Sequence, residues 1–286
     1  MRLFLLTVLT MSAFAANSIL NRAALAQPDI GPAGFATVRL AAGAAMLTVL
    51  LALRERRLAW PGRADPRAVA GLWAYMLGFS FAYLSLPAGL GALILFGGVQ
   101  ITMFGGAVLG GERVPLARWL GAGIALAGLA LLFAPGAGGP VPLTGAGLMA
   151  LAAFGWGVYS LRGRAVRDPL AATSVNFLWA LLACLPVAAL FMGAEVISTR
   201  GVVLAILSGA VTSGLGYALW YAILPRLGAS VGALAQLSVP VIALAAGWAL
   251  LAEPVGLRAA LSALLVLGGV ALGVLGPYFT SRSSGS

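Results

Sequence analysis

Between residues 3 and 276 the chain is a succession of continuously apolar runs, punctuated by short stretches of Arg, Pro and Gly. A helix needs about 20 apolar residues to cross the hydrocarbon core of a bilayer. The runs meet that length at 3–22, 32–53, 67–86, 89–110, 115–134, 143–162, 170–192, 200–223, 229–251 and 256–276. They do not alternate polar with apolar, which argues against a barrel of strands. Only 8% of residues are charged, against about 25% in soluble domains. The expected fold class is therefore all-α integral membrane, with ten transmembrane helices. The start, "MRLFLLTVLTMSAFAANSIL", imitates a secretory leader, but its apolar pattern continues to Leu20 and reads as a retained first helix.

Charge placement orients these helices. Every one of the 17 basic residues is Arg. If the N-terminus is inside, Arg2, Arg54, Arg56, Arg57, Arg63, Arg67, Arg113, Arg118, Arg162, Arg164, Arg167, Arg226 and Arg282 face the cytoplasm, and only Arg22, Arg200 and Arg258 face outward. This asymmetry is the positive-inside signature and expects both termini in the cytoplasm. It also accounts for the net charge of +10 without nucleic acid. One cysteine excludes an internal disulfide, and the absence of His removes the commonest metal ligand. No cofactor or metal motif is present.

The chain repeats itself. At an offset of 141, Glu112–Leu131 aligns with Glu253–Leu272 without a gap, nine of 20 pairs being identical. The same offset pairs Leu86 with Leu227, Gly91 with Gly232 and Leu93 with Leu234, and with small shifts Phe14 matches Phe154 and Pro32 matches Pro169. The division is 1–138 for the first five-helix repeat, 139–277 for the second, and 278–286 for a polar tail read as disordered. Because five is odd, the second copy enters the membrane from the opposite side. The halves are then inverted about an axis in the membrane plane, the arrangement that gives many carriers alternating access around a midplane site.

The doubled unit, with "LGGERV" and "LLAEPV" closing helices 4 and 9, resembles the drug/metabolite transporter superfamily in its ten-helix EamA-type branch. "FAANSILNRAAL" in helix 1 and the aromatic helix 3 are most similar to the bacterial amino-acid exporters of the YddG type. The resemblance implies a multi-pass protein of the bacterial inner membrane, able to work as a monomer. Its cavity would be lined by helices 1, 3, 4, 6, 8 and 9, with 5 and 10 peripheral.

Candidate binding residues follow from polarity and position. Asn17, Ser18 and Asn21 put amides and a hydroxyl within helix 1; such groups face a cavity or an interhelical partner. Tyr75, Phe79 and Tyr83 recur every four residues on one face of helix 3. Trp156 and Tyr159 in helix 6, and Tyr217 and Trp220 in helix 8, serve either as cavity wall or as packing. Gly97 and Gly98 in helix 4 and Ser238 and Pro240 in helix 9 are expected to interrupt their helices at matched positions, a pointer to a transport site, with Gln100 and Gln236 beside them. Arg39, alone among charges within a span, is expected to play a structural role, paired with a carbonyl or Asp29. Glu112 and Glu253 precede helices 5 and 10, where the positive helix end favours an anion, and read as structural marks.

The acids Asp29, Glu55, Asp65, Glu112, Asp168, Glu195 and Glu253 all lie near span ends. A proton relay needs one at depth, and a membrane enzyme needs a nucleophile with a base or a metal cluster. The expected function is export of a small neutral or zwitterionic metabolite, an amino acid above all, by facilitated diffusion. The alternatives are a proton-coupled multidrug or metabolite antiporter, and a non-transporting polytopic membrane protein or channel.

Overall fold

The computed structural model describes residues 1–57, 62–111, 114–134, 140–163 and 166–283, with backbone alone at 228–231, 233–234 and 276–283. Helices follow one another as α1 (Arg2–Leu25), α2 (Pro32–Glu55), α3 (Pro66–Ala82), α4 (Ala88–Leu109), α5 (Leu116–Leu132), α6 (Leu143–Gly163) and α7 (Pro169–Phe191). Then come α8 (Thr199–Ile206), a π-helical stretch (Leu207–Leu215), α9 (Gly216–Gln236), α10 (Ser238–Leu251) and α11 (Leu257–Ser283). Among the described residues seven stretches are long and apolar enough to span a membrane, and α5 and α10 are shorter apolar helices. Leu109, Leu190, Met192 and Leu257 stand exposed on the outside, as lipid allows and water does not. The chain is an all-α integral membrane protein of ten spans in two inverted five-helix repeats. Span eight comprises α8, the π-helical stretch and the start of α9; span nine comprises the end of α9 and α10.

The packing obeys the inverted repeat. Exchanging spans one with six, two with seven, three with eight, four with nine and five with ten maps the main contacts onto one another. The α3–α6 contact becomes that of α1 with span eight, α4–α6 becomes α1–α10, and α2 on span eight becomes α3–α7. The pairs α2–α7, α4–α10 and α5–α11 map onto themselves. Small residues set the closest of these approaches, as expected where lipid offers no hydrophobic drive for helix association. A Cβ on Gly71 would lie 2.7 Å from the Gly155 carbonyl, and one on Gly155 2.5 Å from that of Gly71. Gly121 and Gly269 stand in the same reciprocal relation between α5 and α11.

Three expectations need correction. The α4 helix runs unbroken through Gly97 and Gly98. These glycines leave room for neighbours instead: a Cβ on Gly98 would stand 2.7 Å from that of Ala153, and one on Gly97 3.1 Å from Val266. In span nine the helix is interrupted at Leu237, where Ser238 donates to the Ala235 carbonyl at 2.7 Å, so the interruption is not matched in the other half. Lastly, α11 continues as helix to Ser283, into the segment read as a disordered tail; Pro277 removes one backbone donor but keeps a helical φ. Glu112 lies outside the described residues.

Carboxylates are used at helix starts. Asp65 accepts from Arg67 N at the start of α3 and Asp168 from Ala171 N at the start of α7. Glu195 accepts from Ala33 N and Gly34 N, at 3.0 and 2.8 Å, at the start of α2. All satisfy orphan amides and oppose the positive end of a helix. Asp168 also takes a two-pronged contact from Arg54 at 2.9 and 2.6 Å. That contact, outweighing partial burial, holds its carboxyl below the usual carboxylate range. A depressed folded value means the stabilisation is present above the unfolded pKa and fades as pH falls through the folded one.

Because α3 and α6 meet backbone to backbone, Gly71→Ala or Gly155→Ala is predicted to cost about 1–3 kcal/mol through overpacking. The loss is read as a lowered thermal midpoint in detergent. Gly123→Ala, where a Cβ meets nothing within 4 Å, leaves the midpoint unchanged or raises it.

Candidate functional site

At mid-depth the inward faces of α1, α3, α4, α6 and α9 enclose a chamber. Its wall is Phe14, Asn17, Tyr75, Phe79, Leu95, Phe96, Trp156 and Tyr217, around about 20 Å³ of free space. That volume accommodates a water and not a metabolite. Aromatic rings hold one another at the wall: Tyr75 lies 5.0 Å from Trp156 and 5.3 Å from Phe79, and Trp156 lies 4.9 Å from Tyr217, between ring centroids. Phe14 packs edge-on to Tyr217 at 5.7 Å.

Of the residues expected from sequence, Asn17, Tyr75, Phe79, Trp156 and Tyr217 line this chamber. Trp220 is one layer behind, 5.9 Å from Phe14. Ser18 and Asn21 are buried but off the wall, as are half-buried Gln100 and Gln236. Tyr83 is fully buried at the Arg-poor end, its hydroxyl donating to the Ala88 carbonyl at 3.2 Å. Phe14, Leu95 and Phe96 were not singled out from sequence, since an apolar side chain in an apolar helix carries no contrast.

Asn17, the amide of the wall, is held by the π-helical stretch. A wider π turn brings Ser208, Thr212 and Ser213 toward α1, a local irregularity often found at functional sites. Asn17 Oδ1 accepts from Ser208 Oγ at 2.8 Å and Thr212 Oγ1 at 2.5 Å. Asn21 Nδ2 donates to the Asn17 carbonyl at 2.9 Å, and Ser80 Oγ donates to Asn21 Oδ1 at 3.4 Å. With Asn17 Oδ1 already occupied, its Nδ2 is the group left to offer a ligand.

Arg39 is completely buried beside this network. It does not meet Asp29, which pairs with Arg200 and Ser198 at the Arg-poor end. Nor is its partner a carbonyl. Nε and Nη2 donate to Ser213 Oγ at 3.2 and 3.1 Å, and Nη2 donates to the Tyr75 hydroxyl at 2.9 Å. The guanidinium carbon sits 5.3 Å from the Tyr75 ring centre and 5.0 Å from that of Phe79, distances for cation–π attraction. A Cβ on Gly209 would overlap the Arg39 carbonyl, so the missing side chain lets α2 lie against the π stretch, whose Ser213 the guanidinium meets in place of the expected partners.

The two ends of the chamber differ. Toward the Arg-poor end, Arg22 Nε donates to Glu253 Oε1 at 2.9 Å, and Arg22 Nη1 donates to the Tyr83 and Leu84 carbonyls at 3.0 and 3.2 Å. Glu253 Oε2 accepts from Ala88 N at 2.7 Å. Glu253 therefore serves the start of α4, in the opposite repeat, rather than the start of α11 that follows it in sequence. Arg22, the α3–α4 turn and Glu253 form a plug. Toward the Arg-rich end lies a vestibule of about 190 Å³, lined by Arg63, Asp65, Tyr159, Arg162, Thr173, Asn176, Tyr221 and their neighbours. Tyr159, expected in the cavity itself, donates to Thr173 Oγ1 at 3.3 Å and stacks 5.4 Å from Trp156, so this pair separates vestibule from chamber. Partial burial raises the Asp65 pKa, but the Arg162 contact and the α3 amides outweigh it and hold the carboxyl below its usual range.

Glu253→Gln removes the anion facing both Arg22 and the α4 amide and is predicted to loosen the plug. In a Cys184→Ala background, a cysteine replacing buried Ala92 should react several-fold faster with a membrane-impermeant maleimide applied from the Arg-poor side. Unchanged labelling would show that the Arg22–Glu253 contact does not seal that end.

Residues 143–275 match the model of the EamA-like transporter family. The chain is 49% identical over 276 residues to "Uncharacterized protein PA1977" of Pseudomonas aeruginosa, covering 96% of this chain and 95% of that one. A solved structure described as "Crystal structure of protein" superposes with a TM-score of 0.69 at 20% identity, covering 96% of this chain and 98% of the other, a likeness of fold. The reciprocal packing of two five-helix halves around a closed chamber agrees with the family match, and the chain belongs to the EamA-like transporter family.

Proposed function

We propose that this membrane transporter carries free amino acids, aromatic and apolar ones included, out of the cytoplasm by alternating access and without coupling to protons. The observation that carries the reading is an aromatic chamber at mid-depth with no carboxylate beside it among the described residues. Each described acid is engaged at a helix end or loop: Asp29 with Arg200, Glu55 and Asp168 with Arg54, Asp65 with Arg162, Glu253 with Arg22, and Glu195 with the α2 amides. Rings of this kind give apolar side chains a matching surface, while the Asn17 network supplies polar contacts at one spot. A proton-driven carrier needs a titratable group in that position. With the Arg-rich end in the cytoplasm, both termini lie on the cytoplasmic side of the inner membrane, and the conformation is plugged outside with its vestibule open inside. One chain contains both halves, so a monomer suffices. Loading then requires Trp156 and Tyr159 to part and the chamber to enlarge.

The test is flux in liposomes containing the purified protein. Labelled phenylalanine should run down its gradient at a rate that an imposed pH gradient does not change. Trp156→Ala is predicted to reduce that flux about tenfold, the scale of one lost aromatic contact of about 1.4 kcal/mol, while Trp156→Phe retains most of it. No flux of any amino acid would contradict the substrate assignment. Flux that requires the proton gradient would contradict only the absence of coupling.

A further inference from the structure

We infer that Arg39 is the carboxylate-recognition group of this transporter, and that its ligands are monocarboxylates bearing an apolar or aromatic body. The inference rests on the proposed amino-acid reading and names the part of the substrate that the site selects. Arg39 is wholly buried, permanently charged and, among the described residues, faces no carboxylate. Natural buried charges are paired, because an uncompensated one is costly. Here the polar groups at and beside the chamber are left in surplus as donors. Arg39 Nη1 has no hydrogen-bond partner, nor has the buried hydroxyl of Tyr217, which lines the chamber. Asn17 has its Oδ1 committed to Ser208 and Thr212, so it too presents a donor. A wall short of acceptors, next to a fixed cation, is complementary to an anion that brings acceptors with it.

The geometry also indicates how the anion enters. Tyr75 stands between Arg39 and the free space: its ring lines the chamber, and its hydroxyl occupies Nη2 at 2.9 Å. A carboxylate that displaces the Tyr75 hydroxyl meets Nη2 and the vacant Nη1 together, the two-pronged contact that guanidinium makes best. The Tyr75 and Phe79 faces, already against the guanidinium, then cover the ion pair and keep it dry. Loading in this way swaps a neutral hydroxyl for an anion, which gives the buried guanidinium the counter-charge it lacks.

The experiment compares four probes on the purified wild-type protein, read by quenching of tryptophan fluorescence and by thermal shift. They are L-phenylalanine, 3-phenylpropionate (carboxylate without ammonium), phenethylamine (ammonium without carboxylate) and L-phenylalaninamide. The first two are expected to bind and the last two to bind at least tenfold more weakly. Arg39→Gln should abolish that discrimination while the ligand-free thermal midpoint stays level or rises, since an unpaired buried cation has been removed. Arg39→Lys should keep a reduced preference for carboxylates, and Tyr217→Phe should weaken phenylalanine several-fold. Equal binding of phenylalanine and phenylalaninamide would overturn the inference and leave amino-acid transport standing. So would an Arg39→Gln protein that melts earlier yet discriminates as before, because Arg39 would then be only a packing element. Arg39-dependent binding of 3-phenylpropionate without binding of any amino acid would uphold the inference and sink the amino-acid reading.

Discussion

Close backbone contact at glycine is the constraint from which the rest of this structure follows. In lipid, apolar helices gain little by meeting one another unless their backbones approach. The Gly71–Gly155 contact locks α3 to α6, and Gly121–Gly269 locks α5 to α11. At Gly209 the same device brings α2 onto the π-helical stretch. Arg39, whose carbonyl makes that contact, donates from its guanidinium to Ser213 of the same stretch. The close contacts fix the scaffold, and the chamber is what remains between helices that cannot come closer because they carry rings.

The charged groups divide by position. Carboxylates cap helix starts at both ends, and arginines tie these caps across elements, as Arg54 does with Asp168 and Arg22 with Glu253. The plug at the Arg-poor end joins the two repeats, since Glu253 of the second holds the first turn of α4 in the first. Each of these contacts is a few hydrogen bonds, whereas the glycine-locked pairs meet backbone to backbone. Among the described residues the interior, by contrast, holds one buried charge, Arg39, with a set of hydroxyls and amides.

Much of this was legible in the sequence. Ten apolar runs and an offset of 141 residues specify a ten-span inverted pair, because a bilayer forces each run into a helix and an odd repeat forces the inversion. The aromatic stripe of α3 and the Asn of α1 were visible as polarity or size out of keeping with their surroundings. What escaped did so for physical reasons. Gly97 and Gly98 carry the same letters whether they break a helix or admit a neighbour, and only the presence of Ala153 and Val266 decides. The π stretch has no compositional mark, and its Ser208, Thr212 and Ser213 look like hydroxyls that would bond within their own helix. Arg39 was placed on the wrong partners because its surroundings come from α3 and the π stretch, both far away along the chain.

Where the substrate sits is the central question for this transporter. An experimental structure of the protein with bound L-phenylalanine tests this most directly. The expected result is a ligand inside an enlarged chamber, its ring between Tyr75 and Trp156 and its carboxylate within hydrogen-bonding distance of Arg39 or Asn17. A ligand confined to the vestibule beside Arg162 and Tyr221, with the chamber still closed around 20 Å³, would contradict it.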